Sequence, residues 1–431
     1  MGVIHLETPI SRSIINKIKD NGGGIYLVGG AVRNYLMDEP IKDYDFCVTN
    51  ISKNKFAELF PRAKLVGKHF GVFLLDGYEF AMARTEQIKD NPDNRRDYDV
   101  NLGVSIEEDL KRRDFTVNAI AYDLINNKIV DPYNGQKDIQ DKVLRAFNNA
   151  FEDDPLRVFR AARFSAEYDF RIDANTTLKM LKMCDKVKTL PAERVFEEMK
   201  KALKGKYACN FFLKGSLSYW FKELSNLIMV PQPIKYHPEK CVFIHSLQSL
   251  HYVDSFDPAV KFAALVHDLG KGLTPEEEYP HHYGHCKNGI KALDILAERL
   301  KIPNKWYDYA KLVIEEHMRV WKWKEMGPGK VVRLFKKIQR SPMSIEDFIK
   351  VLIADKRARV GGLRWAYQNP ANIEHDLDKF VKLYYRMFEE TGGEDIDEEP
   401  GPKLGRKLFQ YRCHWIKRER KNILKRGTKN E

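Results

Sequence analysis

The chain is poor in cysteine and has no long apolar run. Its six cysteines, Cys47, Cys184, Cys209, Cys241, Cys286 and Cys413, are scattered over 431 residues. No Cys-x-x-Cys pair occurs, so a disulfide-stapled scaffold and a cysteine-rich zinc module are excluded, and free thiols in a reducing compartment are expected. No stretch approaches the roughly 18–20 apolar residues of a spanning helix. The opening Met1-Gly2-Val3-Ile4-His5-Leu6-Glu7 carries no basic segment ahead of an apolar one. A cytoplasmic protein without membrane association is therefore expected. Internal repeats and low-complexity tracts are also missing. What is present is a hydrophobic share of 43%, enough for real cores. The length suggests about two to four domains. A formal net charge of +12 favours a polyanionic partner without naming one. The excess steepens at the end, where eleven Lys/Arg stand against two Glu after Gly401.

Periodicity divides the chain. Residues 1 to 20 read as a short amphipathic helix with Ile14, Ile15 and Ile18 at helical spacing, closed by Asn21-Gly22-Gly23-Gly24. From Ile25 to about Arg145 short apolar strands alternate with turns, including a hairpin around Asp76-Gly77. Residues 87 to 101, rich in Asp, Asn and Arg, read as a flexible loop. From about Asp153 the pattern is helical, and the acidic stretch Glu389–Glu399 is the best linker candidate. The expected organisation is α+β in front and all-α behind, with segments at 1–20, 21–147, 148–235, 236–360 and 361–431.

The front part holds a Gly-Gly turn, Val28-Gly29-Gly30-Ala31-Val32-Arg33, followed by Asp43-Tyr44-Asp45. If Asp43–Val48 is a strand, Asp43 and Asp45 share a face. Two carboxylates beside a turn free of side chains suit a Mg²⁺-nucleotide, because Mg²⁺ takes hard oxygen ligands and Gly lets backbone N–H groups approach phosphates. On these residues alone, a plain turn with two solvent-facing aspartates is an equally good reading. Further on come Lys111-Arg112-Arg113-Asp114-Phe115-Thr116-Val117-Asn118, where Asp114 is placed to cap a helix. Glu86 after the hairpin is a candidate third carboxylate, with a simple salt bridge as the equal alternative, and Asp114 is a second such candidate. Asp131-Pro132-Tyr133-Asn134-Gly135 is turn chemistry with a structural role. Arg157, Arg160 and Arg163 follow Asp153-Asp154-Pro155 at i, i+3 and i+6, forming one ridge of a helix.

The helical half concentrates histidine: His245, His267-Asp268, His281-His282, His285 and His317, with Asp355 beyond. Imidazole plus carboxylate suits Ni²⁺, Mn²⁺, Mg²⁺ or a related ion. Cys286 adjoins His285, yet no second thiol lies at zinc spacing, so no structural zinc is expected.

The run from Ile25 to Val48 resembles the signature of the CCA-adding tRNA nucleotidyltransferases and their bacterial poly(A) polymerase relatives, with Asn34 where that family usually has Asp. Arg112-Arg113-Asp114-Phe115-Thr116, Asp131–Ile139 and Asp154-Pro155-Leu156-Arg157 extend the match. The segment Val266-His267-Asp268-Leu269-Gly270-Lys271 resembles the HD phosphohydrolases. Together with His237-Pro238-Glu239 and His282-Tyr283-Gly284-His285, the chain is similar over nearly its whole length to the bacterial multifunctional CCA-adding family.

This resemblance implies a polymerase-β-like mixed-sheet head at 21–147, a neck and body at 148–235, an HD domain at 236–360 and a basic helical tail. It implies Mg²⁺ on Asp43 and Asp45. Gly30, Arg33, Arg113, Arg160 and Arg163 would contact the nucleotide, and Asp154 with Arg157 would read the base of CTP or ATP. It implies a divalent metal, Ni²⁺ or another, on His245, His267, Asp268 and Asp355. His282, His285 and His317 would line the phosphate pocket. The implied activity is template-independent CCA addition to tRNA, coupled to 2′,3′-cyclic phosphodiesterase, 2′-nucleotidase and phosphatase activities, in a monomer or homodimer. Three alternatives stay open: a poly(A) polymerase, an HD phosphohydrolase with a weak transferase head, and a non-catalytic RNA-binding adaptor.

Overall fold

A computed structural model describes residues 6–67, 71–89, 97–214, 219–359, 370–392 and 400–427. The chain divides into two compact units, Met1–Leu190 and Pro191–Glu431.

The first unit is built on a mixed sheet. Helix α1 (Arg12–Asp20) buries Ile14 and Ile18 and leads into β1 (Gly24–Val28). After Gly29 the chain turns into α2 (Gly30–Leu36), then β2 (Asp45–Thr49) and α3 (Lys53–Leu59). Strands β3 (Lys64–Gly67), β4 (Val72–Leu75) and β5 (Tyr78–Met82) follow. The hairpin at Asp76-Gly77 is present, with both residues at positive φ (50° and 87°). Next come β6 (Arg84–Lys89), β7 (Asp97–Leu102), α4 (Ile106–Lys111), β8 (Ala121–Asp123) and β9 (Lys128–Val130). Seven strands order as β3-β4-β5-β2-β1-β8-β9, every pair antiparallel except β2 with β5. Helix α5 (Gly135–Gln140), β10 (Val143–Leu144), α6 (Leu156–Tyr168), β11 (Arg171–Ile172) and α7 (Ala174–Lys182) complete the unit, β10 and β11 pairing in parallel.

Three expectations change here. The expected loop at 87–101 is largely replaced by an antiparallel pair of strands, 84–89 with 97–102, outside the main sheet, residues 90–96 lying outside the described residues. Such a ribbon needs no buried face, so its polar composition concealed it. Asp43 precedes β2, which begins at Asp45, so the two aspartates are not alternate residues of one strand. Asp114 does not cap an α-helix: a single 3₁₀ turn, Thr116–Asn118, follows it.

The second unit contains α8 (Ala192–Lys204), α9 (Cys209–Lys214), α10 (Lys222–Ser225), α11 (Val242–Tyr252), α12 (Pro258–Val266), α13 (His285–Leu300) and α14 (Asn304–Val320). Four further helices are α15 (Pro328–Arg340), α16 (Ile345–Ala358), α17 (Pro370–Glu390) and α18 (Pro402–Gly427). Helix α12 is apolar nearly all round and sits between α11, α14 and α16, as a central helix must. Most of the expected linker, 393–399, lies outside the described residues, and Glu389 and Glu390 end α17. Among the described residues no helix is long and apolar enough to cross a membrane.

Candidate functional sites

In the first unit, the sheet register assembles the carboxylates. Val28, the last residue of β1, pairs with Asp45, and Asp45 pairs on its other side with Glu79 of β5. Gly29 then turns with φ +69°, a conformation that costs an L side chain strain. A Cβ there would meet Arg113 Nη1 at 2.9 Å, so the guanidinium reaches over the turn. Arg113 is steadied by Asp109 at 3.3 Å. Asp45 has its pKa raised by burial; Arg113 opposes this, while Glu79 and Asp43 add to it. Three crowded carboxylates, one of them partly desolvated, make a donor set suited to a hard divalent cation.

Behind them lies an arginine-carboxylate lattice. The buried Asp109 accepts from Arg112 Nη2 (2.9 Å), from Arg113 and from the backbone N–H of Arg84 (3.2 Å). The arginines hold its pKa below the ordinary value although burial pushes it up. Glu86 accepts from Arg84 Nε (2.8 Å) and Arg112 Nη1 (3.1 Å), so two arginines already engage it. Asp114 is engaged likewise: its Oδ2 takes Arg160 Nε and Nη2 at 2.7 and 2.6 Å, and its Oδ1 takes Asn118 Nδ2 at 2.9 Å.

Burial alone would raise the Asp114 carboxyl, but Arg160 leads the groups that hold it down at about 2. A folded-state pKa below the unfolded value contributes stability above that unfolded value and loses it as pH falls. We expect the stability advantage of the wild type over Asp114→Asn, about 2 kcal/mol at neutral pH, to vanish between about pH 4 and pH 2. Urea unfolding across that range measures it, and a pH-independent difference would contradict it.

Arg33 is buried. Its Nη1 donates to Asn118 Oδ1 (2.6 Å) and its Nη2 to Asn34 Oδ1 (2.8 Å) and Tyr168 OH (2.9 Å). Asn34 in turn donates to Pro40 O (3.0 Å), a bond that an Asp there could not make. The guanidinium of Arg33 lies 5.0 Å from the Phe164 ring, and that of Arg163 lies 4.1 Å from it. Arg163 also pairs with Glu167 at 2.9 Å. Asp154 Oδ1 accepts the Leu156 N–H at the start of α6 (2.9 Å). Arg157 donates to the carbonyls of Arg112 (2.9 Å) and Ala150. The predicted Arg ridge is therefore unevenly exposed: Arg163 is buried, while Arg157 and Arg160 are half-buried.

In the second unit, helix α11 supplies His245, the end of α12 His267 and Asp268, α13 His285, α14 His317 and α16 Asp355. Gly270 permits this convergence, because a Cβ there would lie 1.9 Å from the His285 carbonyl oxygen. His245 Nε2 lies 3.1 Å from Asp355 and 3.8 Å from Asp268. His267 Nε2 lies 3.2 Å from Asp268 Oδ2. The other oxygen of Asp268 faces His285 and His317 Nε2, at 3.6 and 3.7 Å. His282 is turned elsewhere, to Thr274 Oγ1 (3.0 Å) and Pro231 O (2.8 Å).

Both carboxylates are fully buried yet held well below the ordinary range: against the cost of burial, His267 and Lys271 stabilise charged Asp268, and Arg359 stabilises charged Asp355. Burial pushes His317 down to about 3 and lowers His285, so both are neutral near pH 7. His267 Nε2 and both oxygens of Asp268 have no hydrogen-bond partner although buried. Orphaned donor atoms of this kind facing one another fit a divalent metal. Among the described residues, His245, His267 and Asp355 can hold one ion, and His285, Cys286 and His317 form a further possible ligand group. Burial keeps the Cys286 thiol up at about 11.

Family models match in the same order as these sites. A poly A polymerase head domain covers residues 25–145, a probable RNA-binding region of polymerase A covers 169–214, and an HD domain covers 242–359. The multifunctional CCA protein of Pseudoalteromonas atlantica is 38% identical over 410 residues, spanning 91% of this chain and 98% of that protein. The chain belongs to the multifunctional CCA protein family. The family member from Mannheimia succiniciproducens is 40% identical over 362 residues, 79% of this chain and 86% of its own. Two solved structures share the fold: the Bacillus stearothermophilus CCA-adding enzyme in complex with CTP (22% identity, TM-score 0.62, 97% of both chains) and the Thermotoga maritima CCA-adding enzyme complexed with tRNA (18%, 0.60, 96% of both). As a member of the CCA protein family, the chain is a nucleotidyltransferase carrying an HD domain.

Several residues of these sites carry no sequence motif. Glu79 enters through strand register and no motif marks it. Asp109 was accessible as the i, i+3 and i+4 partner of Arg112 and Arg113 on α4. Lys271 (2.7 Å from Asp268) and Arg359 (2.8 Å from Asp355) balance the buried carboxylates.

Proposed function

We propose that this protein adds C, C and A to tRNA 3′ ends from CTP and ATP, and that its HD site hydrolyses 2′,3′-cyclic phosphates, 2′-nucleotides and related phosphomonoesters at RNA ends. The observation that carries the transferase reading is the meeting of Asp43, Asp45 and Glu79 with the Gly29-Gly30 turn and Arg113. Asp43 and Asp45, with Glu79 as the third carboxylate, would hold Mg²⁺, which when bound supplies activation of the 3′-hydroxyl and neutralisation of the leaving pyrophosphate. The open Gly-Gly turn accepts the triphosphate, and the planar guanidinium of Arg113 is placed to bind it. Arg33, buried and bonded within the protein, acts by fixing α2 and Tyr168. Arg160 and Arg163 likewise brace α6 through Asp114, Glu167 and Phe164. Asp154 and Arg157 present the acceptor and donor that discriminate cytosine and adenine from the other bases, each such contact being worth about 1–3 kcal/mol.

In the HD site His245, His267, Asp268 and Asp355 would hold a divalent ion, Ni²⁺ or another. Bound there, it supplies a water of lowered pKa and polarises a phosphoryl oxygen. Lys271 offers a cation beside it, and neutral His285 and His317 offer lone pairs, as metal ligands or proton acceptors rather than acids. For tRNA, α15 carries five Lys/Arg and no acid, and α18 packs against it with a further ten. A groove of 460 Å³ lined by Lys417, Arg420 and Lys421 lies there. Binding through it should weaken steeply with salt, as counterion release requires.

An extension assay tests the reading. A tRNA lacking its 3′ CCA is incubated with Mg²⁺ and CTP, ATP or both. Two C residues from CTP alone, then one A with both, are expected. A long A tail from ATP alone would favour a poly(A) polymerase instead.

A further inference from the structure

The imidazoles of the HD cluster follow one rule with one exception. His267 Nδ1 lies 2.8 Å from Ala264 O, His285 Nδ1 2.9 Å from His282 O, and His317 Nδ1 3.0 Å from Val313 O. Each ring is thus held through Nδ1 by a backbone carbonyl, with Nε2 turned toward Asp268. His245 departs from this pattern. Its Nδ1 lies 2.8 Å from Oε1 of Glu239, a carboxylate that is itself only 3% exposed. The approach is oblique to the ring N–H, so the carboxylate holds the Nδ1 side of the ring by close electrostatic contact rather than by an in-line hydrogen bond. The same oxygen accepts from His237 Nδ1 at 2.8 Å, and the His237 and His245 rings meet edge to face at 4.9 Å.

We propose that Glu239 is the positioning residue of the HD metal site, fixing His245 in the tautomer that presents Nε2 and making that nitrogen a stronger donor than its carbonyl-pinned neighbours. A carboxylate on the far side of a ligating imidazole raises its basicity, and loss of such a partner typically weakens metal binding about 10–100-fold. His237 keeps the carboxylate in place by occupying the same oxygen. The segment His237-Pro238-Glu239 thereby acquires a role it lacks as a plain loop. This inference rests on the reading of His245, His267, Asp268 and Asp355 as a metal site.

The test uses full-length protein stripped of metal by a chelator. Binding of Ni²⁺ is measured by equilibrium dialysis, and binding of Co²⁺ by its visible bands, which report nitrogen ligation. Wild type, Glu239→Ala, Glu239→Gln and His267→Ala are compared, with thermal melting of the metal-free forms alongside. We expect Glu239→Ala to bind about 10–100-fold more weakly with altered Co²⁺ bands, and Glu239→Gln, whose amide oxygen still accepts one N–H, to lose less. Should Glu239→Ala fail to fold, Glu239→Gln carries the comparison. If His267→Ala loses the ion while both Glu239 variants bind within twofold of wild type, this inference is overturned and the metal site stands. If wild type and His267→Ala bind alike, the metal reading falls and the inference with it.

Discussion

Asp45→Ala is expected to lower CMP and AMP incorporation on the order of 10³-fold or more while tRNA affinity stays near the wild-type value. The reason is positional. Asp45 is flanked in register by Val28, one residue before the Gly29-Gly30 turn, and by Glu79. Its carboxyl is raised by burial and by the neighbouring acids, so a cation beside it favours its charged form. Phosphoryl transfer asks the protein for alignment and charge neutralisation rather than covalent chemistry. Single preorganised electrostatic groups are commonly worth about 10²–10³-fold, and a ligand shared by the metals exceeds one donor. RNA affinity, by contrast, is expected from phosphate contacts made by basic side chains elsewhere. Initial rates with labelled CTP and ATP, beside filter binding of the same tRNA, separate the two quantities. An adaptor without catalysis would show no change on substitution, and equal loss of rate and binding would place Asp45 in the RNA interface. Glu79→Gln is the companion variant, because no motif draws attention to it.

What was legible in the sequence, and what was not, follows from the range of the interactions. The Asp76-Gly77 hairpin was readable because its turn residues accept positive φ. The histidine cluster was readable because His-Asp followed by Gly-Lys-Gly is rare, although the structure turns His282 to Thr274 and Pro231. The ribbon of β6 and β7 was not readable, since strands outside the main sheet show no apolar alternation. Arg33 illustrates a different limit. A motif places a guanidinium beside a phosphate-sized turn, yet only packing reveals that Asn118, Asn34 and Tyr168 occupy it. The lattice divides in the same way: Asp109 with Arg112 and Arg113 is a helical i, i+3 and i+4 set, whereas Asp114 and Arg160 are 46 residues apart and meet only through the fold. Glu79 and Glu239 belong with the second kind.

Asp268→Asn should remove the proposed phosphohydrolase activity and leave CCA addition intact. Asp268 is the one group that faces all four imidazoles: Oδ2 toward His245 and His267, Oδ1 toward His285 and His317. Both oxygens are buried without an in-line hydrogen bond; Lys271 lies 2.7 Å from Oδ2, while among the described residues Oδ1 has no ion-pair partner nearer than His285 at 3.6 Å, a costly state unless something else satisfies it. If that something is a divalent ion, ligand removal has a thermodynamic signature besides lost activity. An ion bound only by the folded state at 100 times its Kd adds about 2.7 kcal/mol, so chelation should lower the wild-type melting temperature by several degrees. Asp268→Asn, unable to hold the ion, should melt at the same temperature with and without chelator. Transfer of CMP by Asp268→Asn, assayed with Mg²⁺ and without chelator, should persist, because Asp43 and Asp45, the carboxylates proposed to hold Mg²⁺, belong to the other unit. A chelator-sensitive melting temperature in Asp268→Asn would mean that the ion sits elsewhere, with His285, Cys286 and His317 the next group to test. A wild type indifferent to chelation would instead make Lys271, 2.7 Å from Asp268 Oδ2, the resident cation of the cluster. The HD unit would then act as a scaffold for RNA rather than as a hydrolase.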